Sequence, residues 1–226
     1  YLEREVALRT LEVQAIQDVT IMAMTSLAET RDNETGNHIR RIQLYVKALA
    51  VRLRNHPRFE AVLNERMIEL LYKSAPLHDI GKIGIPDSIL LKPGKLTVEE
   101  FEVMKTHTTL GRKAIEDAER RLGMRVAFLS VSKEIAYSHQ EKWDGRGYPQ
   151  GLAGDQIPVS ARLMAVADVY DALINKRVYK VAFSHDQACS TIVKGKGTHF
   201  DPDMVDAFVD IAEDFRSIAL KYPDPE

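Results

Sequence analysis

Apolar residues along this chain recur mostly at helical spacing, and the pattern predicts a succession of helices. Residues 1 to about 30 hold no Gly or Pro, and Leu2, Val6, Val13, Ile16 and Ala23 fall on a rough heptad seam interrupted by Arg9 and Thr20. Such a helix either pairs with its copy in a homodimer or lies along its own domain. Asp32-Asn33-Glu34-Thr35-Gly36 breaks it, because Asn and Gly are poor helix interiors. His38, Ile42, Tyr45 and Leu49 then share one helical face. A third helix is expected from about Glu60 to Ser74, with Leu63, Met67, Leu70 and Leu71 inward, before Pro76 re-aims the chain.

Pro86, Pro93 and Gly94 mark a loop, and Thr97 with Glu100 three residues on predicts a capping box. The helix it starts carries Phe101, Met104, His107 and Gly111 along one side, and Gly111 would let another element approach closely. A further helix is expected over 122–139, followed by turn chemistry from Trp143 to Pro149. Pro158 suits the first position of the next helix, about 158–175, which is apolar nearly all round and therefore belongs in the middle of a domain. Helices over 185–194 and 202–220, the second capped by Asp201, complete the chain. The fold class is all-α: one helical domain, residues 31–226, behind a connector helix, residues 1–30.

Composition narrows the picture without changing it. Apolar residues make up 45% and charged residues 28% of 226, which are ordinary globular values. A net charge of −2 supplies no global field for duplex nucleic acid or anionic membranes. The single cysteine, Cys189, precludes an intramolecular disulfide and thiolate zinc sites. With no apolar run of membrane length and no signal segment, a cytoplasmic location is the expectation. The chain opens on Tyr1, so something longer is expected to precede it.

The chemistry gathers around Pro76-Leu77-His78-Asp79-Ile80-Gly81-Lys82. An adjacent His and Asp are both strong ligands for divalent iron, manganese or zinc, and the carboxylate can bridge two ions. Glu34 lies one helical turn before His38, so both can reach one point. A lone His on an apolar face is usually a core histidine, and Glu34 shifts His38 towards a ligand pair, while His107 read alone suits either role. Asp168, on the all-round apolar helix that also bears Asp171, needs a cation, and a metal is the foremost one. Lys82 points a charge at whatever anion binds there. Arg177 and Lys180 form a basic cluster, either a solvated helix end or a phosphate contact.

Collected, the candidate ligands are Glu34, His38, His78, Asp79, His107, His139 and Asp168; His56, His185 and His199 fall outside the set. Converging carboxylates repel by about 4 kcal/mol per pair at 4 Å and an effective dielectric near 20. That argues for two divalent ions, a pairing suited to displacement at phosphorus. Asp79 and Lys82 would carry the chemistry, with Lys82, Arg177 and Lys180 holding a diester that has more than one phosphate.

At this point the chain resembles the HD-GYP family, the cyclic dinucleotide phosphodiesterases of the HD superfamily. The matching stretches are Glu34-Thr35-Gly36-Asn37-His38, His78 to Lys82, Met104-Lys105-Thr106-His107, His139 to Pro149, Ile157 to Lys180, and His199-Phe200-Asp201-Pro202. The resemblance implies an HD-superfamily helical bundle with two or three metals, iron or manganese first and zinc, nickel or magnesium after them. It implies hydrolysis of cyclic di-GMP to the linear dinucleotide or GMP. It also implies that the seven candidates are metal ligands and that Lys82, Arg177 and Lys180 hold substrate phosphate. Gly147-Tyr148-Pro149 is the signature loop, linked more to shape and partner binding than to chemistry.

One departure stands out. The family has two adjacent histidines where this chain has His139-Gln140, so a third metal is expected to be absent or partly filled. The lead-in is similar to the connector that follows a receiver domain in two-component regulators. The alternatives are a phosphodiesterase preferring cyclic GMP-AMP, a weakened cyclic dinucleotide-binding or docking module, and a nucleotide phosphohydrolase of the wider superfamily.

Overall fold

Local capping chemistry sets where several of the helices begin, as a computed structural model of the chain shows for residues 2–32, 36–175 and 182–224. Among these described residues the regular elements are all helical: α1 (Leu2–Asp32), α2 (Gly36–Leu53), α3 (Glu65–Ser74), α4 (Asp87–Leu90), α5 (Val98–Lys105), α6 (His107–Leu122), α7 (Ala127–Ser138), α8 (Val159–Ile174), α9 (His185–Lys194), α10 (Pro202–Asp210) and α11 (Ala212–Lys221). Short 3-10 helices at Ala75–Leu77 and Ile80–Gly84 flank the His78-Asp79 pair.

The all-α expectation and the central placing of the most apolar helix hold. Leu163, Met164, Val166 and Ala167 of α8 are fully buried, against Ile42, Tyr45, Val46 and Leu49 of α2 and against Met204, Phe208 and Phe215 of α10 and α11. Tyr45 stacks on Phe215 with ring centroids 4.4 Å apart.

Several boundaries differ from the periodicity, each for a local reason. α3 starts five residues later than expected because the Asn64 side chain caps it, accepting from Met67 N at 2.9 Å, while Phe59 and Leu63 are buried in the turn before it. The Thr97–Glu100 capping box forms, but its helix stops at Lys105, and His107 begins a separate α6. Gly123, at φ +73°, ends α6, so the stretch expected as one helix from 122 yields α7 only from Ala127. Pro158 lies one residue ahead of α8, and Ile211 divides the final helix into α10 and α11. The Gly111 approach is real: Gly81 packs so tightly on it that a Cβ there would collide with the His107 carbonyl oxygen and the Gly111 backbone nitrogen.

The heptad seam of α1 is uncovered, with Leu2, Val6, Val13 and Ile16 all exposed. Lying along its own domain describes this helix only from Asp18 onward. There Asp18 faces Lys73 Nζ at 3.5 Å and Thr25 is buried. No helix of the described residues is long and apolar enough to cross a membrane.

A buried ion pair locks α2 to α8. Arg41 Nε donates to Asp171 Oδ1 at 2.6 Å and Nη2 to Oδ2 at 2.9 Å, and Nη1 reaches the Tyr222 carbonyl and Asp224 Oδ1 at 2.8 and 2.7 Å. Of the two carboxylates on the apolar helix, Asp171 thus meets a guanidinium. Burial works to raise the Asp171 pKa, yet hydrogen bonds from Arg41 and His38 hold it below the usual carboxylate value. Removing one partner leaves a buried charge uncompensated, so Arg41→Ala should cost about 3–5 kcal/mol in a urea melt.

Candidate metal centre

The site is assembled from the ends and kinks of helices. Pro76 opens the first 3-10 helix and leaves His78 at its end, with the His78 Nδ1–H donating to the Ala75 carbonyl at 3.0 Å. Asp79 sits between the two 3-10 helices at φ −105°, ψ 12°, a bridge-region conformation common in active-site residues. His107 starts α6 and donates from Nδ1 to the Met104 carbonyl at 2.8 Å. His139 closes α7 and donates from Nδ1 to the Ile135 carbonyl at 3.0 Å. His38, on α2, gives its Nδ1–H to Asp171 Oδ2 at 2.8 Å. All four imidazoles therefore spend Nδ1 on an outer partner and turn Nε2 inward, the tautomer and orientation of metal-bound histidine.

Two groups of potential ligand atoms result, His38 with His78 and Asp168, and Asp79 with His107 and His139, the atoms of each lying within 4.8 Å of one another. In the second group Asp79 Oδ1 is 3.3 Å from His107 Nε2 and 3.4 Å from His139 Nε2, and the two nitrogens are 3.4 Å apart. Atoms bound to a shared ion at about 2.1 Å are separated by about this much. His78 Nε2 lies 3.3 Å from Asp79 Oδ2 and 4.0 Å from Asp168 Oδ1, so the His78-Asp79 pair joins the two groups. His78 Nε2 and Asp79 Oδ1 are buried without a hydrogen-bond partner, which is costly unless a cation meets them. The residues fit divalent ions.

Charge is arranged to suit. Burial alone would raise the Asp79 pKa, but Lys82, His78 and His139 hold its carboxyl well below the usual carboxylate range. Burial drives the His107 pKa down to about 4 against the pull of Asp79, so the ring is a neutral ligand at pH 7. Lys82 Nζ lies 2.7 Å from Asp79 Oδ2. Glu34, Arg177 and Lys180 lie outside the described residues.

The signature loop lies beside the candidate ligands. Tyr148 stands edge-on to the His107 ring, centroids 6.3 Å apart, and to Phe101 at 6.0 Å, and a cis peptide joins it to Pro149. Gly147 has to be glycine, since a Cβ would collide with the backbone of Glu141 and Lys142. Glu141 is buried, and its carboxylate accepts from Gln150 N at 2.8 Å and Leu152 N at 3.0 Å, tying the loop to the end of α7. Trp143 N donates to the His199 carbonyl at 3.1 Å and anchors the loop's start. The Gln140 carbonyl accepts from Tyr148 N at 3.2 Å. Sequence reasoning missed Asp171, Glu141 and Tyr148 as supports of the candidate ligands. A second carboxylate on the apolar α8 was the one available signal.

An HD domain family model matches residues 23–204. A probable cyclic di-GMP phosphodiesterase of Vibrio cholerae is 55% identical over the whole of this chain, which covers 51% of it. A cyclic di-GMP phosphodiesterase of the same organism is 59% identical over 94% of this chain and 43% of itself. The chain thus spans about half the length of the curated relatives it matches. In structure it resembles a cyclic GMP-AMP specific phosphodiesterase of V. cholerae with a TM-score of 0.55, covering 93% of this chain and 56% of that one; at 18% identity this shows the fold alone.

The loop's seating can be read optically, because Trp143 is the single tryptophan and lies within it. Gly147→Ala should red-shift Trp143 emission as the loop lifts, with a destabilisation of about 1–3 kcal/mol from the added Cβ, measured by fluorescence during a urea melt. With a match that runs from the last turns of α1 into α10 and the Gly147-Tyr148-Pro149 loop against its candidate ligands, the chain belongs to the HD-domain family and is of the HD-GYP type.

Proposed function

We propose that residues 31–226 form the catalytic domain of a metal-dependent phosphodiesterase that hydrolyses cyclic di-GMP to the linear dinucleotide, GMP or both, with residues 1–30 as its connector. The observation that carries this is the meeting of two His/Asp groups at the adjacent His78 and Asp79. The activity named for the two V. cholerae relatives supports the substrate.

In this reading Glu34, His38, His78, Asp79, His107, His139 and Asp168 hold two divalent ions, iron or manganese. Such a pair, when bound, makes water acidic and neutralises charge on both the attacking and the leaving oxygen. The chain's own residues do the rest. Lys82 exchanges its Asp79 partner for a non-bridging phosphate oxygen and holds the reacting diester in place. Arg177 and Lys180, just beyond the helix that bears Asp168, take the second phosphate. His107, kept neutral by burial, presents a lone pair rather than a proton. Tyr148 closes the wall behind His107 and limits its ring motion. Gln140, in place of a second adjacent histidine, offers only an uncharged amide, so two ions bind rather than three. The uncovered seam of α1 pairs with a second copy, downstream of a receiver or sensor domain in the cytoplasm.

Purified without oxygen and supplied with Mn²⁺ or Fe²⁺, the chain should convert cyclic di-GMP to linear product, separable by chromatography. Activity should vanish on chelation and in Asp79→Asn. Affinity without product would instead indicate a docking module, and faster turnover of cyclic GMP-AMP would put that substrate first. Elemental analysis should count two metals per chain; three full equivalents would contradict the role given to Gln140.

A further inference from the structure

A long-range contact beside Asp79 belongs neither to the ligand set nor to the signature loop. Arg31, in the last turn of α1, reaches across more than fifty residues to the far end of the 3-10 helix that follows Asp79. Its Nη1 donates to the Ile83 carbonyl, and its Nη2 to the Ile85 carbonyl at 3.2 Å and to Asp87 Oδ1 at 2.5 Å. The end of a short helix leaves its last carbonyls without partners inside the helix, and a forked guanidinium is well shaped to collect two of them at once.

Where this grip falls gives it a function. Ile80–Gly84 carries Lys82 and begins directly after Asp79, and its internal bonds run from Lys82 N to the Asp79 carbonyl and from Ile85 N to the Lys82 carbonyl. On one side Gly81 is pressed against the His107 carbonyl and Gly111 of α6. On the other, Arg31 holds the carbonyl end. The segment is thus wedged between the helix that bears His107 and the terminal turn of α1. Release of the Arg31 side would free the segment to turn about its Gly81 contact, taking Asp79 and Lys82 with it.

α1 has the shape of a lever on this point. Its 31 residues span about 46 Å at 1.5 Å per residue. It is anchored from Asp18 onward, while its first half stands clear of the bundle. We propose that Arg31 is a positioning residue for the metal centre, the grip through which helix α1 sets the place of Asp79 and Lys82. This rests on the reading of Asp79 as a metal ligand, but not on which nucleotide is cleaved.

The test uses the whole chain without nucleotide. Mn²⁺ binding to the metal-stripped protein is titrated by calorimetry, and amide hydrogen exchange is followed at Lys82 and Ile85. Arg31→Ala should weaken Mn²⁺ binding about tenfold, as loss of an outer support of a ligand does. Exchange at Lys82 and Ile85 should quicken about tenfold through local opening, while Tyr45 and Leu49 in the core stay unchanged. Asp87→Asn, which leaves both carbonyl contacts in place, should match the parent in both readouts.

Arg31→Ala that folds and keeps both values within about twofold of the parent would overturn the proposal, since a support of this kind is worth at least tenfold. So would Asp87→Asn as damaging as Arg31→Ala, because the ion pair rather than the carbonyl grip would then be the contact that matters. If Arg31→Ala does not fold, Arg31→Lys decides: a point charge cannot span two carbonyls, so parental behaviour would sink the idea and intermediate behaviour would support it. A parent that bound no Mn²⁺ would sink the metal reading itself, and the exchange rates would still judge the grip.

Discussion

A carboxylate with little access to water, ringed by imidazoles, is the constraint from which the rest of this structure follows. Asp79 has a side chain only 18% exposed and has His78, His107 and His139 within 3.4 Å. Left alone in such a place it would take up a proton and lose its use as a ligand. Lys82 at 2.7 Å keeps it ionised. Desolvation keeps His107 neutral in turn. The outcome is an anionic oxygen and several bare nitrogens directed at one volume, an arrangement that favours a divalent cation over any group the chain itself could supply.

The scaffold answers to that requirement. Each inward Nε2 is aimed by an outward Nδ1–H, three of them to carbonyls three or four residues earlier in the chain and the fourth to Asp171. The carbonyl partners are inexpensive, since a helix end has such groups to spare. The fourth is not, because Asp171 is itself a buried charge and needs Arg41. One guanidinium therefore serves two ends: it pins α2 to α8 in the core and fixes the ring of His38 at the site. Stability of the fold and geometry of the centre share a residue, so damage at Arg41 would reach both.

Two further elements close on this centre from outside the ligand set. The Gly147-Tyr148-Pro149 loop, held by Glu141 and by the close fit of Gly147, stands its aromatic ring against His107. The terminal turn of α1 holds the segment that carries Lys82. One acts on a ligand of α6 and the other on the segment that follows Asp79, so the centre can be reached from a surface loop and from α1 by separate routes.

Much of this was legible in residues alone. A helix apolar on every side has to lie in the interior, and α8 does. Histidines and carboxylates recurring at helical spacing on apolar faces have no reason to be there as solvated charges, and His38, His78, Asp79, His107, His139 and Asp168 do converge. Caps at Thr97 and Asp201 follow from side-chain reach over two or three residues, a local property. Helix ends were less legible. The stops at Lys105, Gly123 and Ile211 depend on φ values and tertiary contacts that periodicity does not carry.

What only the tertiary structure decided is pairing across distance. Nothing in the spacing says that Asp171 belongs to Arg41, 130 residues before it, rather than to an ion. Nor does it say that Glu141 looks to its own loop or that Arg31 holds carbonyls of Ile83 and Ile85. A sequence shows which side chains cannot be buried alone, because that cost belongs to the residue. It does not show who relieves the cost, because that depends on where the backbone brings the partner.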